Sequence, residues 1–575
     1  MPAIAGLIAY IEHTSLRPFQ NLNYPRSDTK LHEEKTKLRV SLCDDSTELA
    51  EVFVDSYFLE ITLKEPCSVG TPDFRDDEIT MDILYLHPAK QEVNARYDKF
   101  AASPPYPFIP VGVIGFVNLL RAQGWQVEGL NLPLELTLEP TFDLKQWLGT
   151  RSPAQLVMID LHWYEHAFGA IEAARAVKTI WPQTPIVIGG LTASNFAAEI
   201  LTNFPVIDFI VCGDAETPLA RLAAYCCGDA SMALSDIPNL LYRQDDKVKQ
   251  NPRTFFAKAE DLDALDFVST DWLHHQRSYA ALQHYGQGKI SLHNPTALGH
   301  WLTVGRGCVF NCAYCGGGKE SHSVLAGRNG YVVRSPQKVV EDIAQLAALG
   351  YHQVALSLDI ATFGAEWWRP FFAQFKERQL KIGIYNEFFQ LPNPEFLHQL
   401  GATADLTHTE VAISPLSGNE GVRKQNGKFY TNERFLNMLQ TLKKYEIPIF
   451  IYFSLNLPGE TFATFKETLQ LAHAIGQSYP PHLLRMLNPC HTLDPLSPMS
   501  RHPEAYGMTV HYTTFMDYYN YCRGTAWQPR QVIRGQHRGF EMNSRPTPIV
   551  EQMAQMWDLF ASKQNFRCFP VPRGW

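Results

Sequence analysis

The chain has 575 residues, about four times a typical 150-residue domain, so two or three domains are expected. It is 45% hydrophobic and 19% charged, which excludes global disorder, and 50 basic against 59 acidic residues leave a net charge of −9, no sign of a general nucleic-acid surface. The longest apolar runs, such as Val111–Leu120, have about ten residues, short of the roughly 20 that a membrane helix needs, and Met1–Ile11 lacks a basic leader. No membrane or nucleic-acid partner is expected, and the chain reads as cytoplasmic.

Residues 1–80 carry charges and no clear period, and are expected to be an N-terminal extension, although Phe53–Leu63 is apolar enough to pack. From Met81–Leu86 onward strands and helices alternate. A helix over Gly112–Ala122 precedes strand Trp125–Leu130, and strand Leu156–Leu161 precedes a helix near Phe168–Ile180. Strand Ile186–Ile188 runs into Gly189-Gly190, helix Asn195–Leu201 follows, and strand Phe209–Val211 ends in the turn Gly213-Asp214-Ala215-Glu216. Strands separated by such helices imply a doubly wound α/β domain over 81–250 with a parallel, flavodoxin- or Rossmann-like sheet. Ligands of such sheets sit at the carboxyl ends of the strands, where these glycines fall.

Residues 251–300 break the alternation and are expected to connect two domains. It resumes at Trp301. Helices Pro336–Ala348, Glu433–Tyr445 and Phe462–Ile475 each carry one apolar face, and the last is expected to stop at Gly476. Short strands Val354–Leu358, Lys381–Ile384, Glu410–Ile413 and Ile449–Phe453 lie between them. Five or six strand–helix units predict an open or closed (β/α) barrel over 301–500. Residues 501–575 are expected to be a looser tail, with arginines at 523, 530, 534, 538 and 545.

Eight of the 11 cysteines are scattered and read as small buried hydrophobes. The other three, Cys308, Cys312 and Cys315, form C-x3-C-x2-C within Gly305–Gly318 (GRGCVFNCAYCGGG). Three thiolates so close converge on one centre only if the chain loops around it, which the surrounding glycines permit. Zinc sites recruit two ligand pairs across a spacer, and no second C-x2-C stands elsewhere. Three cysteines leave one iron of a cubane cluster without a protein ligand.

This motif, with Tyr314 before its third cysteine, resembles the signature of the radical S-adenosylmethionine (SAM) superfamily. The resemblance implies a 4Fe-4S cluster on Cys308, Cys312 and Cys315. Its open iron would chelate SAM, and one electron would cleave SAM to a 5′-deoxyadenosyl radical. Leu457–Thr461 (LPGET) resembles the family's adenine-pocket loop, which makes Pro458, Gly459 and Glu460 candidate cofactor contacts. Asp359, Glu387, Ser414 and Ser417 stand at strand ends where the family places polar contacts to SAM.

Ahead of such a barrel, the α/β domain resembles that of the cobalamin-binding members of the superfamily, over about residues 81–500. Pro104–Leu120, Ile186–Ala193 and Val206–Glu216 carry this likeness, and Gly189, Gly190, Gly213 and Glu216 become candidate cobalamin contacts. Asp160–Glu165 (DLHWYE) departs from the family's Asp-x-His-x-x-Gly: Glu165 replaces the Gly, and the segment follows the third strand. His162 and Trp163 are therefore expected to shield the corrin rather than ligate cobalt, with the nucleotide tail near Gly189-Gly190 and Gly213.

The resemblance implies an enzyme with a 4Fe-4S cluster, SAM and cobalamin as cofactors, served by an electron donor such as flavodoxin or ferredoxin. The expected reaction is methyl transfer to an unactivated carbon of a small-molecule or peptide substrate. The alternative is a cyclisation, ring contraction or oxidation without methyl transfer. A methylthiolase would need three further cluster cysteines and a basic tail domain, and a cobalamin sensor would not need the cysteine triplet.

Overall fold

The computed structural model describes residues 53–55, 58–60, 81–90, 107–229, 231–245, 247–285, 292–490, 493–527 and 539–564. Two units divide the chain, Met1–Ile79 and Thr80–Trp575. Of the first, the described part is an antiparallel hairpin, β1 (Phe53–Asp55) with β2 (Phe58–Glu60). Within the apolar run, Phe53–Asp55 and Phe58–Glu60 thus form strand where the pattern showed no clean period. The rest of the expected extension, with Cys43 and Cys67, lies outside the described residues.

In the second unit, Ile83-Leu84-Tyr85-Leu86 is apolar at every position, as a strand covered on both faces must be. It forms β3 (Ile83–His87). With β4 (Val127–Asn131), β5 (Leu156–Asp160), β6 (Ile186–Gly189), β7 (Phe209–Val211), β8 (Leu240–Gln244) and β9 (Lys247–Gln250) it builds a sheet in the order β4-β3-β5-β6-β7-β8-β9. The first five strands are parallel, and β8 and β9 close one edge antiparallel. Alternate side chains serve two cores. Ile83, Leu156, Val187 and Phe209 pack under helices Gly112–Ala122 and Glu216–Cys226; Leu84, Val157, Ile186 and Ile210 pack under helix Ala167–Ile180. Chain order reverses between β3 and β5, so the ligand crevice of such a sheet opens at the ends of these two strands.

The segment expected only to connect contributes to the first of these cores. Its helix Gln276–Leu282 buries Tyr279 and Leu282 there, and Trp272 lies so close to Gly129 that a Cβ at that position would stand 2.5 Å from the indole.

The second sheet follows: β10 (Gly299–Leu302), then a separate antiparallel pair of β11 (Gly305–Cys308) and β12 (Gly330–Val333), then β13 (Gln353–Leu356), β14 (Gly383–Phe388), β15 (Glu410–Leu416), β16 (Ile449–Phe453) and β17 (Leu484–Leu487). The order β10-β13-β14-β15-β16-β17 is parallel throughout, with helices Pro336–Ala348, Ala365–Glu377, Pro394–Thr403, Asn432–Lys444 and Phe462–Ser478 between strands. This is a six-stranded partial barrel. The last helix runs through Gly476, because burial of Ile475 and Tyr479 on either side holds its final turn.

The tail is ordered by aromatic packing. Helix Phe515–Trp527 sets Phe515, Tyr518, Tyr519 and Cys522 against Phe168, Phe196 and Phe204 of the first sheet's helices. Helix Thr547–Lys563 packs on the barrel through Trp557, whose ring lies 5.7 Å from that of Phe453. The expectation of a loose tail is corrected accordingly. Replacing fully buried Phe515 by Ala is expected to cost about 3 kcal/mol, read as a lower urea midpoint of the full chain; an unchanged midpoint would show that this helix does not brace the sheet.

Candidate cofactor site

Cys308 ends β11 opposite Gly330. Gly307 has φ +90°, and a Cβ there would stand 2.1 Å from the Gly330 carbonyl oxygen, so this strand pair forms only with glycine. Beyond it the chain turns back on itself: the amide of Cys315 donates to the Cys312 carbonyl at 3.1 Å, and that of Lys319 to the Phe310 carbonyl at 2.8 Å. The Phe310 amide donates to the Cys308 sulfur at 3.4 Å, and Gly427, with φ +91°, packs against Cys312. Burial raises the Cys308 thiol above its ordinary pKa, and burial, then Asp494 and Cys312, push Cys315 up to about 12. Thiols in such a setting ionise when a cationic centre replaces their protons. The donor set therefore fits an iron cluster and is unsuited to three free thiolates.

At the barrel's carboxyl end the strand-end residues divide. Ser414 is half-buried on β15, next to an irregularity in register between Ile413 and Leu416. Glu387 is half-exposed, accepts from the Tyr385 hydroxyl at 2.8 Å, and has its pKa raised by burial. Ser417 is buried and its hydroxyl receives the Asn419 amide at 3.1 Å. Asp359 turns inward: it is fully buried and accepts from Asn386 Nδ2 at 3.1 Å and from the amides of Ala361 at 3.1 Å and Phe389 at 2.7 Å. These bonds hold the loop after β13. The Glu460 carboxylate accepts from the Asn456 amide at 2.8 Å and faces Arg545, and burial raises its pKa to about 7. Pro458 offers its carbonyl to Asn426 Nδ2 at 3.0 Å, and Gly459 holds φ +77° with the Gln425 side chain pressed on it.

On the first sheet, His162 and Trp163 follow the carboxyl end of β5, half-buried, with rings 4.8 Å apart and edge to face. Burial lowers His162 to about 4, so its imidazole is neutral at neutral pH. Gly190 has φ +117°, and a Cβ would meet the His162 backbone at 2.7 Å. Gly189, Gly190, His162 and Trp163 thus form one corner of the crevice. At its floor lie residues that sequence reasoning did not assign: the Tyr85 hydroxyl donates to Asp160 Oδ1 at 2.6 Å, His87 Nδ1 lies 2.9 Å from the same oxygen, and the rings of His87 and His166 are 5.0 Å apart. A histidine or aspartate ending an apolar strand, as in ILYLH and LVMID, was the available signal.

Gly213 and Glu216 are absent from that corner. Gly213 lies against the barrel segment after the cysteines, where a Cβ would stand 2.9 Å from the Leu325 carbonyl oxygen. Glu216 Oε1 lies 2.6 Å from Arg306 Nη1, which is 3.3 Å from Asp214 Oδ1; Asp214 Oδ2 lies 2.5 Å from Arg328 Nη2. These four side chains are at most 15% exposed. Burial works against the charge on Arg306, yet Glu216 and Asp214 hold its pKa above the ordinary value. The acidic turn is ion-paired to the strand that carries Cys308. Leu191, just after β6, also approaches the cysteine loop, 4.0 Å from where a Cβ on Gly317 would be.

Comparison with known proteins agrees with this two-part architecture. The B12 binding domain family model matches residues 98–223, and the Radical SAM superfamily model matches residues 302–472. Curated relatives include an anaerobic magnesium-protoporphyrin IX monomethyl ester cyclase of Rubrivivax gelatinosus, 24% identical over 53% of this chain and 52% of the relative. A tRNA-2-methylthio-N(6)-dimethylallyladenosine synthase of Saccharopolyspora erythraea is 22% identical over 53% of this chain and 54% of the relative. The chain spans about half the length of both. Among solved structures, the radical SAM methyltransferase TsrM of Kitasatospora setae, with cobalamin and a [4Fe-4S] cluster bound, superposes with TM-score 0.56 at 15% identity, over 85% of this chain and 90% of that one. A second TsrM structure, with tryptophan substrate and a SAM analog, gives TM-score 0.53 at 16% identity, over 75% of this chain and 78% of that one. The chain joins a B12-binding domain to a radical SAM barrel. The two matches are to a B12 binding domain and to the Radical SAM superfamily, and the likeness to the TsrM structures is one of fold.

Asp359 yields a pH test. Burial raises its folded pKa from 3.8 to about 6, so the folded state holds that proton more tightly than the unfolded chain. Its contribution to stability therefore falls as pH rises from about 4 to about 6. Asp359→Asn is expected to remove that slope in unfolding measurements across this window; an unchanged slope would mean that the carboxyl is solvated.

Proposed function

We propose that this enzyme transfers a methyl group to an unactivated carbon of a small-molecule or peptide substrate, with a cluster on Cys308, Cys312 and Cys315, SAM, and cobalamin in the first sheet's crevice. The observation that carries this reading is the joining of the cysteine loop to the ends of β6 and β7 through Arg306, Arg328, Gly213 and Leu191. It turns the cluster-binding loop toward the ligand-binding end of the sheet. Together the bound groups supply one-electron cleavage chemistry and a transferable methyl group.

The residues of this chain have separate tasks. The three cysteines hold the cluster and leave one iron open to SAM. Ser414, Pro458 and Gly459 border SAM, while Asp359 and Glu460 stiffen the loops behind them. His162 is neutral and, with Trp163, keeps water from the corrin without offering a charge; Gly189 and Gly190 let backbone approach it closely. The substrate lies in the barrel interior, whose wall carries Trp301, Tyr385, Phe450 and Tyr452 with Glu387 at the rim, and is covered by the segment after residue 485. Electrons come from a small donor such as flavodoxin or ferredoxin. Among the described residues no helix is long and apolar enough to cross a membrane.

The test is anaerobic incubation of the reconstituted protein with methyl-labelled SAM, cobalamin, reductant and candidate substrates. Label on a substrate carbon supports the reading. Deoxyadenosine with an unlabelled, altered product would favour the non-methylating alternative. Protein reconstituted with iron and sulfide should hold about four irons per chain. Cys308, Cys312 and Cys315 all changed to Ala should hold none, and full iron in that variant would refute the cluster assignment. Cys226→Ala should leave iron content unchanged.

A further inference from the structure

The acidic turn and the two arginines connect parts of the chain that chemistry must keep in register. Arg306 stands two residues before Cys308, and Arg328 two residues before β12, the partner strand of β11. Both ends of the cysteine-bearing strand pair are thus gripped by one short turn, Asp214–Glu216, which directly follows β7. Asp214 is committed on both oxygens: Oδ1 faces Arg306, and Oδ2 receives Arg328 at 2.5 Å and the Ala257 amide at 2.8 Å. Arg306 also lies over the Phe116 ring, its guanidinium carbon 5.2 Å from the ring centroid, on the first helix of the sheet. Each of these charges has a counter-charge across the junction.

We propose that Arg306, Arg328, Asp214 and Glu216 are positioning residues. They hold the cluster loop at one spacing from the crevice of the B12-binding sheet, so that methyl uptake and methyl delivery proceed without one sheet swinging against the other. This rests on the proposed function for its consequence, and on the ion pairs alone for its mechanics. A swing would strip four buried charges of their partners at once, which a buried network resists far more than a surface one. One further contact across the junction opposes it: Gly213 is wedged on the Leu325 carbonyl.

A purely structural salt bridge would lower all activities together when weakened. A positioning network separates two of them. Cleavage of SAM to deoxyadenosine needs only the cluster and SAM within the barrel, whereas methyl transfer from SAM to cobalamin needs the two parts in register. The experiment uses the full chain as wild type, Asp214→Asn and Arg306→Lys. Hydrogen exchange is read on the cofactor-free protein, and the two partial reactions on the reconstituted protein.

In Asp214→Asn, exchange should rise together in 213–216 and 305–308. Cobalamin methylation should fall about tenfold or more while deoxyadenosine formation stays within about threefold, since small misplacements are costly only to the step that needs them. Arg306→Lys keeps the charge but loses the fork that reaches both carboxylates, and should fall between wild type and Asp214→Asn; it also carries the test if Asp214→Asn does not fold. Parallel loss of both reactions, or unchanged cobalamin methylation, would overturn the proposal. If the wild type methylates no cobalamin, the functional reading fails by itself. Exchange then decides the network: a joint rise supports it, and a rise in one segment alone refutes it.

Discussion

Arg306 and Glu216 meet 2.6 Å apart in a place where neither could stand alone. Withdrawing a guanidinium or a carboxylate from water costs several kcal/mol, and removing one partner of a buried pair typically costs about 3–5 kcal/mol. Glu216 is also the first residue of helix Glu216–Cys226, where the helix dipole favours a negative charge. The pair is therefore anchored on one side by a helix terminus and on the other by a strand that ends in a cluster cysteine. Much of the rest follows from this junction. The cysteine-bearing strand and the acidic turn are held together by these ion pairs.

With that turn committed, the crevice is left to residues nearer the point where chain order reverses. There the carboxyl ends of β3 and β5 carry a buried hydrogen-bonded set, Tyr85, Asp160 and His87, with His166 packed beside it. Buried polar groups of this kind are tolerated only when paired, and once paired they fix geometry. They provide a rigid floor beneath the half-buried His162 and Trp163. The tail contributes in the same sense: helix Phe515–Trp527 lies on the first sheet and helix Thr547–Lys563 on the barrel, so the two brace both halves.

The periodic parts of this architecture were legible in the sequence. Helices Gly112–Ala122 and Pro336–Ala348 fall where their apolar spacing put them, because one buried stripe against water leaves little choice. The cysteine motif was legible because three sulfurs and five glycines within 14 residues have few other uses. What could not be read was direction. Glu216, Asp359 and Glu460 are acids at strand ends or in loops, and spacing alone does not say whether such a side chain faces a crevice, its own loop or a neighbouring sheet. Arg306 decided the matter for Glu216, from 90 residues away in the chain. The tail did carry a helical stripe, Phe515, Tyr518, Tyr519 and Cys522 at i, i+3, i+4 and i+7, which the sequence reading passed over.

The central claim is that the cluster and the cobalt face each other across one fixed junction. Anomalous diffraction from crystals of the reconstituted protein, collected at the iron and cobalt absorption edges, tests it most directly. The account predicts iron density enclosed by Cys308, Cys312 and Cys315, and a single cobalt peak at the carboxyl ends of β3, β5 and β6, on the side of the sheet that faces the iron, with Arg306 still on Glu216. A cobalt peak elsewhere on the molecule, or iron and cobalt separated by an opened Arg306–Glu216 pair, would contradict it.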